Sequence, residues 1–455
     1  MNKEISISEY LDTDYHEYAR YVVENRAIPS VIDGLKPTQR KVIFIADKVW
    51  KTGKEKPYKI FQLTGRIAAD AHYHHGDSSL NSAIIGMAQK FKNSMPLLEE
   101  IGQFGSLRSP VAGAPRYIST KLHSNFRLLY KDFELLSPRM EEGSQIEPEY
   151  FLPIIPTVLL NGSSGIAVGF ATNILNRNPI HLINACIKEL DGKKYNDPAP
   201  WVNGFKGECI KNPESTNSWI FKGIHEVKNT STVNILEVPP SITYEKYDNC
   251  LNSLEDSKSI SSYDNNCKSD INYTLKFTRS NLNDLIKKDR LTRVLKLEEK
   301  QTENFTVLDE HGKLKIFNNC KEIISYFVNF RLKFYEKRKK FIIDKLSKEL
   351  VFLSNKARFI KDIISGKLKV NNVPRQTIIL YLGSNKYNTI DDSYNYLLNM
   401  AIHTLTKEKY EELLNQVSNK KEELAEIKKI KPIDMYRDDL NDLKKVLSKD
   451  PSYKV

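Results

Sequence analysis

The stretch KIFQLTGRIAADAHYHHGDSSLNSAIIGMAQKF, residues Lys59–Phe91, decides the fold of the first part of the chain. It predicts two helices joined at the tight turn HHGD, and Asp77 or Ser78 can cap the second helix. Two short helices around a glycine turn are compatible with a helix-turn-helix, an arrangement that reads DNA. The spacing alone favours an ordinary helical hairpin, so the surrounding sequence has to decide.

The flanking sequence extends this pattern in both directions. LKPTQRKVIFIADKVW (Leu35–Trp50) predicts a helix that begins at Pro37, because proline suits the first helical turn. From about residue 151 to about 320 the chain is rich in predicted strands, with TVNILEV and INYTLKF alternating apolar and polar residues. FTVLDEHGKLKIF predicts a hairpin, and the polar stretch NSLEDSKSISSYDNNCKSD predicts an exposed loop.

A third region, from about residue 321 to about 430, is predicted to be helical. Apolar residues at helical spacing from Ile323 to Ile364 predict one helix of about forty residues that ends before Gly366. LTKEKYEELLNQVSNKKEELAEIKKI predicts a second long helix, and together they indicate an antiparallel coiled coil with a small domain at its far end. The remaining stretch, from Tyr436 onward, is charged and is predicted to fray.

The start of the first long helix is strongly basic. Glu336 is the one acid among a set of six cations, which are Arg331, Lys333, Lys337, Arg338, Lys339 and Lys340. A solvated helix face and contact with phosphate both fit this run.

Composition restricts the class of protein. The 455 residues carry a formal net charge of +12, with a pI of about 9.1, which favours an anionic partner, nucleic acid first and a membrane surface second. No run of eighteen apolar residues exists, and the polar N-terminus does not resemble a signal peptide. Five cysteines without a CxxC pair favour free thiols in a reducing cytoplasm over a zinc site or disulfides.

Elimination leaves one unusual candidate nucleophile. A phosphate-binding loop and a nucleophile elbow are absent. A metal nuclease needs carboxylates clustered at the ends of strands, whereas the acidic pairs Asp391-Asp392 and Asp438-Asp439 lie in the helical half of the chain. In AGAPRYISTKL, Arg116 directly precedes Tyr117. A tyrosine nucleophile suits a reversible covalent phosphodiester, and a guanidinium stabilises the charge that builds up on the phosphate oxygens. Neighbouring side chains along a chain point in different directions, so the dipeptide alone does not establish that Arg116 and Tyr117 act on the same phosphate.

Several long motifs in one order resemble the breakage–reunion subunit of type IIA DNA topoisomerases. These are YARYVVENRAIPSVIDGLKPTQRKVIF, YHHGDSS, GQFGS, APRYI, YFLPIIPTVLLNGSSGIAVGFATNI and HGKLKIFNNCKEIISYFVNFR. The family includes the gyrase A subunit, its topoisomerase IV counterpart and the C-terminal half of the eukaryotic enzyme. The resemblance is strongest to the enzymes of large tailed phages, which are split into separate subunits. YHHG supports this, because the bacterial versions have a proline between the two histidines.

The resemblance implies an α+β, multidomain fold. Residues 1–150 are expected to form a winged-helix (helix-turn-helix) cleavage domain, and residues 151–320 a mixed α/β tower domain. Residues 321–430 are expected to form a long antiparallel coiled coil with a small helical dimerisation domain, followed by a charged tail at 431–455. A fused ATPase half and a β-pinwheel are not expected.

The resemblance also implies roles for individual residues. Tyr117 matches the nucleophile that joins the 5′ phosphate of cut DNA, and Arg116 matches its transition-state arginine. Arg26 matches an arginine at the reacting phosphate, and His75 the histidine beside the active site. The implied DNA contacts are Lys36, Arg40, Lys41, Ser78 at the start of the recognition helix, and the apolar wedge Ile166.

Structural roles remain open for most of these residues. Arg26 can be an ion-pair partner, His75 can hold the turn, and Ile166 can belong to a core beside a glycine-rich bend. Lys36, Arg40 and Lys41 fit general phosphate anchors as well as specific contacts. ATNILNRNP and LRSPVAGAP depart from the family pattern, so the chain path after the wedge and the contacts of bacterial inhibitors are not carried over.

The expected function is DNA cleavage and religation in an ATP-dependent type II topoisomerase, with relaxation and decatenation as its outcome. The resemblance implies a homodimer on double-stranded DNA in the cytoplasm, that of a bacterial host if phage-encoded. Mg²⁺ and ATP are expected on a large partner subunit, and no metal on this chain. The alternatives are a non-catalytic winged-helix DNA-binding or architectural protein, and a metal-dependent nuclease.

Overall fold

The computed structural model describes residues 6–390 and 392–453. Asp391, one member of a predicted acidic pair, lies outside the described residues, as do residues 1–5 and 454–455 of the first and last predicted domains. The described chain forms two compact units, one up to Arg331 and again from Arg437, the other Leu332–Tyr436. Helices and strands are mixed in the first unit, which confirms the predicted α and β content.

The helices include short and very long members. They are α1 (Ile7–Tyr10), α2 (His16–Val22), α3 (Pro37–Val49), α4 (Ile60–Asp70), α5 (Asp77–Ala88), α6 (Ser124–Leu129), α7 (Thr157–Leu160), α8 (Pro179–Leu190), α9 (Tyr244–Asp256), α10 (Arg279–Lys287), α11 (Leu291–Val294), α12 (Cys320–Ile364), α13 (Arg375–Ser384), α14 (Asn395–Leu398), α15 (Lys407–Lys429) and α16 (Pro432–Leu447). Two π-helical segments, Leu11–Tyr15 and Val23–Ala27, follow α1 and α2.

The strands are short, and every pairing between them is antiparallel. They are β1 (Tyr58–Lys59), β2 (Ser119–Thr120), β3 (Tyr130–Lys131), β4 (Arg139–Glu141), β5 (Ser144–Ile146), β6 (Leu152–Pro153), β7 (Ser163–Ile166), β8 (Ala171–Ile174), β9 (Glu208–Lys211), β10 (Ser218–Lys222), β11 (Ile224–Asn229), β12 (Thr232–Glu237), β13 (Ser262–Asn265), β14 (Tyr273–Lys276), β15 (Glu298–Thr302), β16 (Phe305–Leu308) and β17 (Leu314–Phe317).

Helices α3, α4 and α5 contact one another in pairs and carry their apolar residues at helical spacing. Pro37 occupies the first position of α3, as predicted. The N-cap of α5 is Gly76, so the cap predicted at Asp77 or Ser78 was wrong by one or two residues. The Asp77 carboxylate accepts a hydrogen bond from the backbone N–H of Ser78 at 2.8 Å, where a negative charge is favoured by the helix dipole.

A small sheet completes this group of helices. Strand β1, directly before α4, pairs with β2, and Ile101 forms a bridge to Ser119 of β2. The chain therefore returns to the start of α4 just after the candidate nucleophile.

The strand-rich region contains two larger sheets, with strand orders β11-β12-β14-β13 and β15-β10-β9. In β12, Val233 and Ile235 are fully buried and pack with Tyr247 and Leu251 of α9. The alternation predicted for TVNILEV and INYTLKF is confirmed by β12 and β14. The hairpin predicted for FTVLDEHGKLKIF is confirmed by the pairing of β16 with β17.

The polar stretch from residue 252 to 270 is not a plain loop. It contains the last turn of α9 and the whole of β13, which pairs with β14. The prediction of a loop was wrong for these two elements, because their Ser, Asn and Asp side chains lie on the exposed side while Leu254 and Tyr263 pack on the core. The residues between and after them carry no helix or strand.

Within the second unit, α12 and α15 run antiparallel. Lys339 Nζ donates to the carbonyl oxygens of Lys428 and Ile430 at 2.9 and 2.8 Å. Further along, Glu349 pairs with Lys420 at 3.2 Å. The segment between the two helices packs on the end of α12 through an apolar cluster built from Phe359, Leu368, Ile378, Leu382, Tyr387 and Leu397.

The end of the chain is ordered as far as the structure describes it, so the prediction that it frays was wrong. Leu440, Leu443 and Leu447 of α16 are buried. Tyr453, 9% exposed, donates from Oη to the carbonyl oxygen of Ser94 at 3.1 Å. The charges that suggested fraying lie on the opposite face of an amphipathic helix.

All five cysteines are free thiols. Burial raises the pKa of each one, to about 12 for Cys209 and Cys320. This agrees with the prediction of idle thiols.

Candidate active site

The candidate nucleophile lies in the turn formed by residues 115–117. Its backbone N–H donates to the carbonyl oxygen of Ala114 at 2.9 Å, and Lys59 Nζ donates to its carbonyl oxygen at 2.7 Å. The next residue, Ile118, is buried, whereas the Tyr117 side chain is 73% exposed. The backbone of Tyr117 is therefore held while its phenol faces solvent.

Arg116 lies beside it with an exposed side chain that makes no ion pair with any residue the structure describes. A guanidinium in this state keeps all its donors for an incoming anion. The arrangement fits the pairing of nucleophile and charge stabiliser expected from the sequence.

The loop before the tyrosine is anchored by a residue that sequence reasoning missed. Arg108, 7% exposed, donates from Nη2 to Glu237 Oε1 at 2.6 Å and from Nη1 to the carbonyl oxygens of Pro239 and Ile242. Its partners lie about 130 residues further along the chain, so no local pattern could have revealed this contact.

A groove of about 840 Å³ brings three other candidates together. Arg26, Lys36 and His75 line it, along with Ser79 and Ser82 from the exposed face of α5. The opposite wall is formed by Ser163 and Ser164 of β7 and by Lys92. Tyr117 and Arg116 are not among the described residues that line this groove, so a single chain does not place all four predicted catalytic groups in one cavity.

His75 is held by a tyrosine from the N-terminal helix. Tyr21 Oη and His75 Nε2 are 2.7 Å apart, and Tyr73 packs edge-on against the imidazole with ring centroids 5.4 Å apart. One ring nitrogen is thus engaged, and the other stays available. Tyr21 lies in the motif YARYVVENRAIP, but its sequence separation of 54 residues from His75 concealed this role. The neighbouring His74 lies 3.9 Å from a carboxylate oxygen of Glu141.

Arg26 is exposed and forms no ion pair within the described chain, so the ion-pair alternative finds no partner there. It belongs to the π-helical segment Val23–Ala27, whose Val23 and Ala27 are buried. Burial of its neighbours on one side turns Arg26 toward the groove.

Lys36 connects the start of α3 to the neighbouring hairpin. Its Nζ donates to the carbonyl oxygen of Ser164 at 2.7 Å, and partial burial lowers its pKa from the ordinary value. The next residue is Gly165, and only glycine fits there, because a Cβ would lie 2.2 Å from the carbonyl oxygen of Ala27.

Arg40 and Lys41 have structural environments that do not support the expected contact with the DNA backbone. Arg40 is 7% exposed and donates to both carboxylate oxygens of Asp33, at 2.7 and 3.1 Å. Lys41 donates to the carbonyl oxygen of Ala71 at 2.6 Å and to Glu147 at 3.1 Å. Both side chains hold α3 to its surroundings.

Ser78 and Ile166 are both exposed. Ser78 lies in the first turn of α5, and its carbonyl oxygen accepts from Ser82 Oγ at 2.9 Å. Ile166 ends β7 at the tip of a hairpin and is 86% exposed, with Phe170 beside it 41% exposed. The alternative that Ile166 is a core residue is therefore excluded.

Within residues 6–390 and 392–453, no group of three or more His, Cys, Asp or Glu side chains is arranged to hold a metal ion. Over the same residues, no helix is long and apolar enough to cross a bilayer.

The family model that describes the A subunit of DNA gyrase/topoisomerase IV matches residues 26–441. The chain belongs to this family. The match includes every candidate site residue, and it confirms the family expected from the sequence motifs. The DNA topoisomerase medium subunit of Enterobacteria phage T4 is 32% identical over 442 residues, which cover 96% of this chain and 98% of the phage protein.

Relatives from eukaryotes are similar over almost the whole chain. The mitochondrial DNA topoisomerase 2 of Dictyostelium discoideum is 32% identical over 98% of this chain. The crystal structure of the DNA-binding, cleavage and re-ligation domain of Plasmodium falciparum topoisomerase II superposes with a TM-score of 0.84 at 33% identity, covering 98% of this chain and 65% of that one. The chain spans 36% of the Dictyostelium protein, about a third of such topoisomerase 2 relatives.

Proposed function

We propose that this chain is the DNA cleavage and religation subunit of an ATP-dependent type II DNA topoisomerase, an isomerase that acts by a transient double-strand break. One observation carries the proposal: Tyr117 stands 73% exposed on a fixed turn beside an exposed Arg116. A buried phenol would have excluded attack on DNA. Family membership indicates which reaction such a phenol performs.

The chemistry is a reversible exchange of esters. The phenol oxygen of Tyr117 loses its proton and attacks a backbone phosphorus; the bond from phosphorus to the 3′ oxygen breaks, and that oxygen takes up a proton. The product is a 5′-phosphotyrosyl linkage, and religation runs the same steps backward. Arg116 stabilises the charge on the non-bridging oxygens, and no phosphoester energy is lost to water.

We assign DNA binding to the groove described above. Arg26 and His75 contact the cleaved strand, with His75 as hydrogen-bond donor or proton partner through the ring nitrogen that Tyr21 leaves available. Lys36 and Ser78 contact the backbone, the latter at the start of the helix α5. Ile166 inserts between base pairs and bends the duplex, as exposed apolar wedges do.

The domain division follows from this assignment. Residues 1–150 form a winged-helix cleavage domain, supported by α3–α5 with the β1–β2 pair, and residues 151–320 form the tower. Residues 321–430 form the coiled coil and dimerisation gate, supported by the antiparallel contacts of α12 with α15. The segment 431–455, described to residue 453, serves as a structural closure.

Two cuts in opposite strands require two tyrosines, so we propose a homodimer. Mg²⁺ and ATP are assigned to a large partner subunit. Its carboxylates would hold the Mg²⁺, which would offset the charge of the scissile phosphate, and its ATPase domain would drive closure. A second duplex then passes through the break, giving relaxation and decatenation.

Trapping of the covalent intermediate tests the proposal. The full chain is incubated with its large subunit, Mg²⁺ and plasmid, and detergent is added. We expect protein covalently attached to 5′ DNA ends. The yield of this adduct should be at least about 10³-fold lower for Tyr117→Phe, since the nucleophile is lost.

The matched control is Tyr18→Phe, which removes the hydroxyl of a tyrosine that is also exposed (55%). It should trap DNA as the wild type does. DNA binding without any adduct would support the architectural alternative, and cuts with free ends that persist in Tyr117→Phe would support a nuclease.

A further inference from the structure

The proximal part of the helix pair, defined as residues 333–340 of α12 and 424–431 at the end of α15, is far more basic than the rest of the pair. These two segments contain eight basic residues and two acids. Their continuation, residues 341–352 and 411–423, contains four basic residues and six acids. The positive charge is thus concentrated at one end of one structural element.

The two basic segments lie side by side. Lys339 Nζ donates to the carbonyl oxygens of Lys428 and Ile430, at the C-terminus of α15 where the helix dipole is negative. This contact uses one ammonium for structure. It also fixes the neighbouring lysines of both segments close to one another.

Six lysines of these segments are exposed and form no ion pair with any described residue. They are Lys333, Lys337, Lys340, Lys428, Lys429 and Lys431. The first three follow an i, i+4, i+7 pattern, so they lie on one face of α12. We call this set the lysine band.

The same helices pair their charges elsewhere. Lys420 contacts both Glu349 and Glu423, at 3.2 and 2.9 Å, and Lys409 contacts Glu412 at 2.8 Å. Unpaired like charges at helical spacing lower helix stability. A simple solvated face would not require that arrangement, whereas a site for a polyanion would.

Aromatic packing beneath the lysine band gives it a rigid base. Tyr335 stacks on Tyr436 with ring centroids 4.5 Å apart, and Lys337 Nζ lies 4.4 Å from the centroid of Phe334. Holding a flexible ammonium against a ring reduces the entropy lost when it meets a phosphate.

We propose that the lysine band binds the phosphate backbone of a second DNA duplex, separately from the cleavage groove and without regard to sequence. The inference rests on the proposed function, because strand passage is what brings a second duplex to this chain. The three lysines of α12 extend over about 10 Å of helix axis at 1.5 Å per residue. Duplex DNA presents about six negative charges over that length.

The test uses the full chain reconstituted with its large subunit. The band variant combines Lys333→Gln, Lys337→Gln and Lys340→Gln. Its matched control, Lys345→Gln with Lys348→Gln and Lys421→Gln, removes three exposed lysines from the same two helices outside the band. A third variant, with arginine at the three band positions, keeps the charge.

The complex is first saturated with a short gate duplex, and binding of a second labelled duplex is measured against salt concentration. For the band variant we expect the salt slope to fall by about one per lysine, with plasmid relaxation about tenfold slower. The arginine variant and the control should match the wild type. Covalent trapping of the gate duplex should be unchanged in all four proteins.

Equal losses in the band variant and the control, or wild-type second-duplex binding in the band variant, would overturn the inference. Loss of covalent trapping in the wild type itself would instead count against the proposed function, and second-duplex binding can still be scored because it needs no chemistry. If substitution at these three positions disrupted folding, the arginine variant would lose second-duplex binding as well.

Discussion

At the scale of single residues, Lys36, the N-cap of α3, and Arg40, one turn into that helix, have opposite environments. Lys36 lines the groove, whereas Arg40 is buried against Asp33. Asp33 Oδ2 also accepts from the backbone N–H of Phe151 at 3.1 Å, and its carbonyl oxygen accepts from Thr157 Oγ1 at 2.6 Å. Those partners are more than a hundred residues away, so residue type and spacing could not distinguish the two cations.

The contact between Tyr21 and His75 leads to a prediction at this scale. Tyr21→Phe removes the hydroxyl that engages Nε2 and frees the imidazole to rotate. A hydrogen bond of this kind contributes about 0.5–1.5 kcal/mol, so the yield of covalent complex should fall about two- to tenfold. Quantifying trapped DNA over a range of enzyme concentrations measures the change.

A double-mutant cycle distinguishes positioning from general damage. In a His75→Ala background, Tyr21→Phe should have no further effect on trapping. If it lowers the yield by the same factor in both backgrounds, Tyr21 acts independently of His75 and the assignment is wrong.

At the scale of helices and strands, the sequence predicted most elements from local patterns. Pro37 marked the start of α3, and Gly366 follows the end of α12 at Ile364, close to the predicted end. The failures have a common cause. The segment from 252 to 270 and helix α16 carry many polar residues, and their few apolar side chains are packed on the core or buried. The composition of such elements is dominated by the polar residues of their exposed side, so it does not reveal the few apolar residues that are buried.

The hairpin β7–β8 offers a prediction at this scale. In Gly165→Ala the new Cβ would lie 2.2 Å from the carbonyl oxygen of Ala27 and 3.0 Å from Lys36 Nζ, so the hairpin must move. We expect a loss of about 1–3 kcal/mol in the free energy of unfolding, measured by denaturant titration, and weaker bending of bound DNA.

Gly65→Ala is the matched control for this substitution. Gly65 lies within α4, and nothing is within 4 Å of a Cβ placed there. Alanine favours the helix by about 1 kcal/mol over glycine, so stability should rise. A loss equal to that of Gly165→Ala would mean that the hairpin contact is not the cause.

At the scale of the whole molecule, the family could be predicted because long motifs preserve their order. The groove could not, because its walls come from the N-terminal helix, α5 and a hairpin near residue 164. The packing of the last described residues likewise depends on contacts that are distant in sequence. Asn178 Nδ2 donates to the carbonyl oxygen of Tyr453 at 3.2 Å, across 275 residues.

Removing that closure should destabilise the first unit. Tyr453→Ala deletes a ring that packs against Trp201 and is 9% exposed, so we expect a loss of about 2–4 kcal/mol in the free energy of unfolding. Tyr453→Phe, which keeps the ring and loses only the bond to Ser94, should cost about 1 kcal/mol. Unchanged thermal unfolding in both variants would mean that the tail is not a structural closure.

The raised pKa of every cysteine has a practical consequence for observing DNA bending. Because burial raises the pKa of all five thiols, we expect maleimide dyes to react slowly with the native chain at neutral pH. A single cysteine introduced at position 168, beside the hairpin tip, would then become the preferred attachment point for a fluorophore. Its emission would report in real time whether the tip contacts bound DNA, without first rebuilding the protein as a thiol-free background.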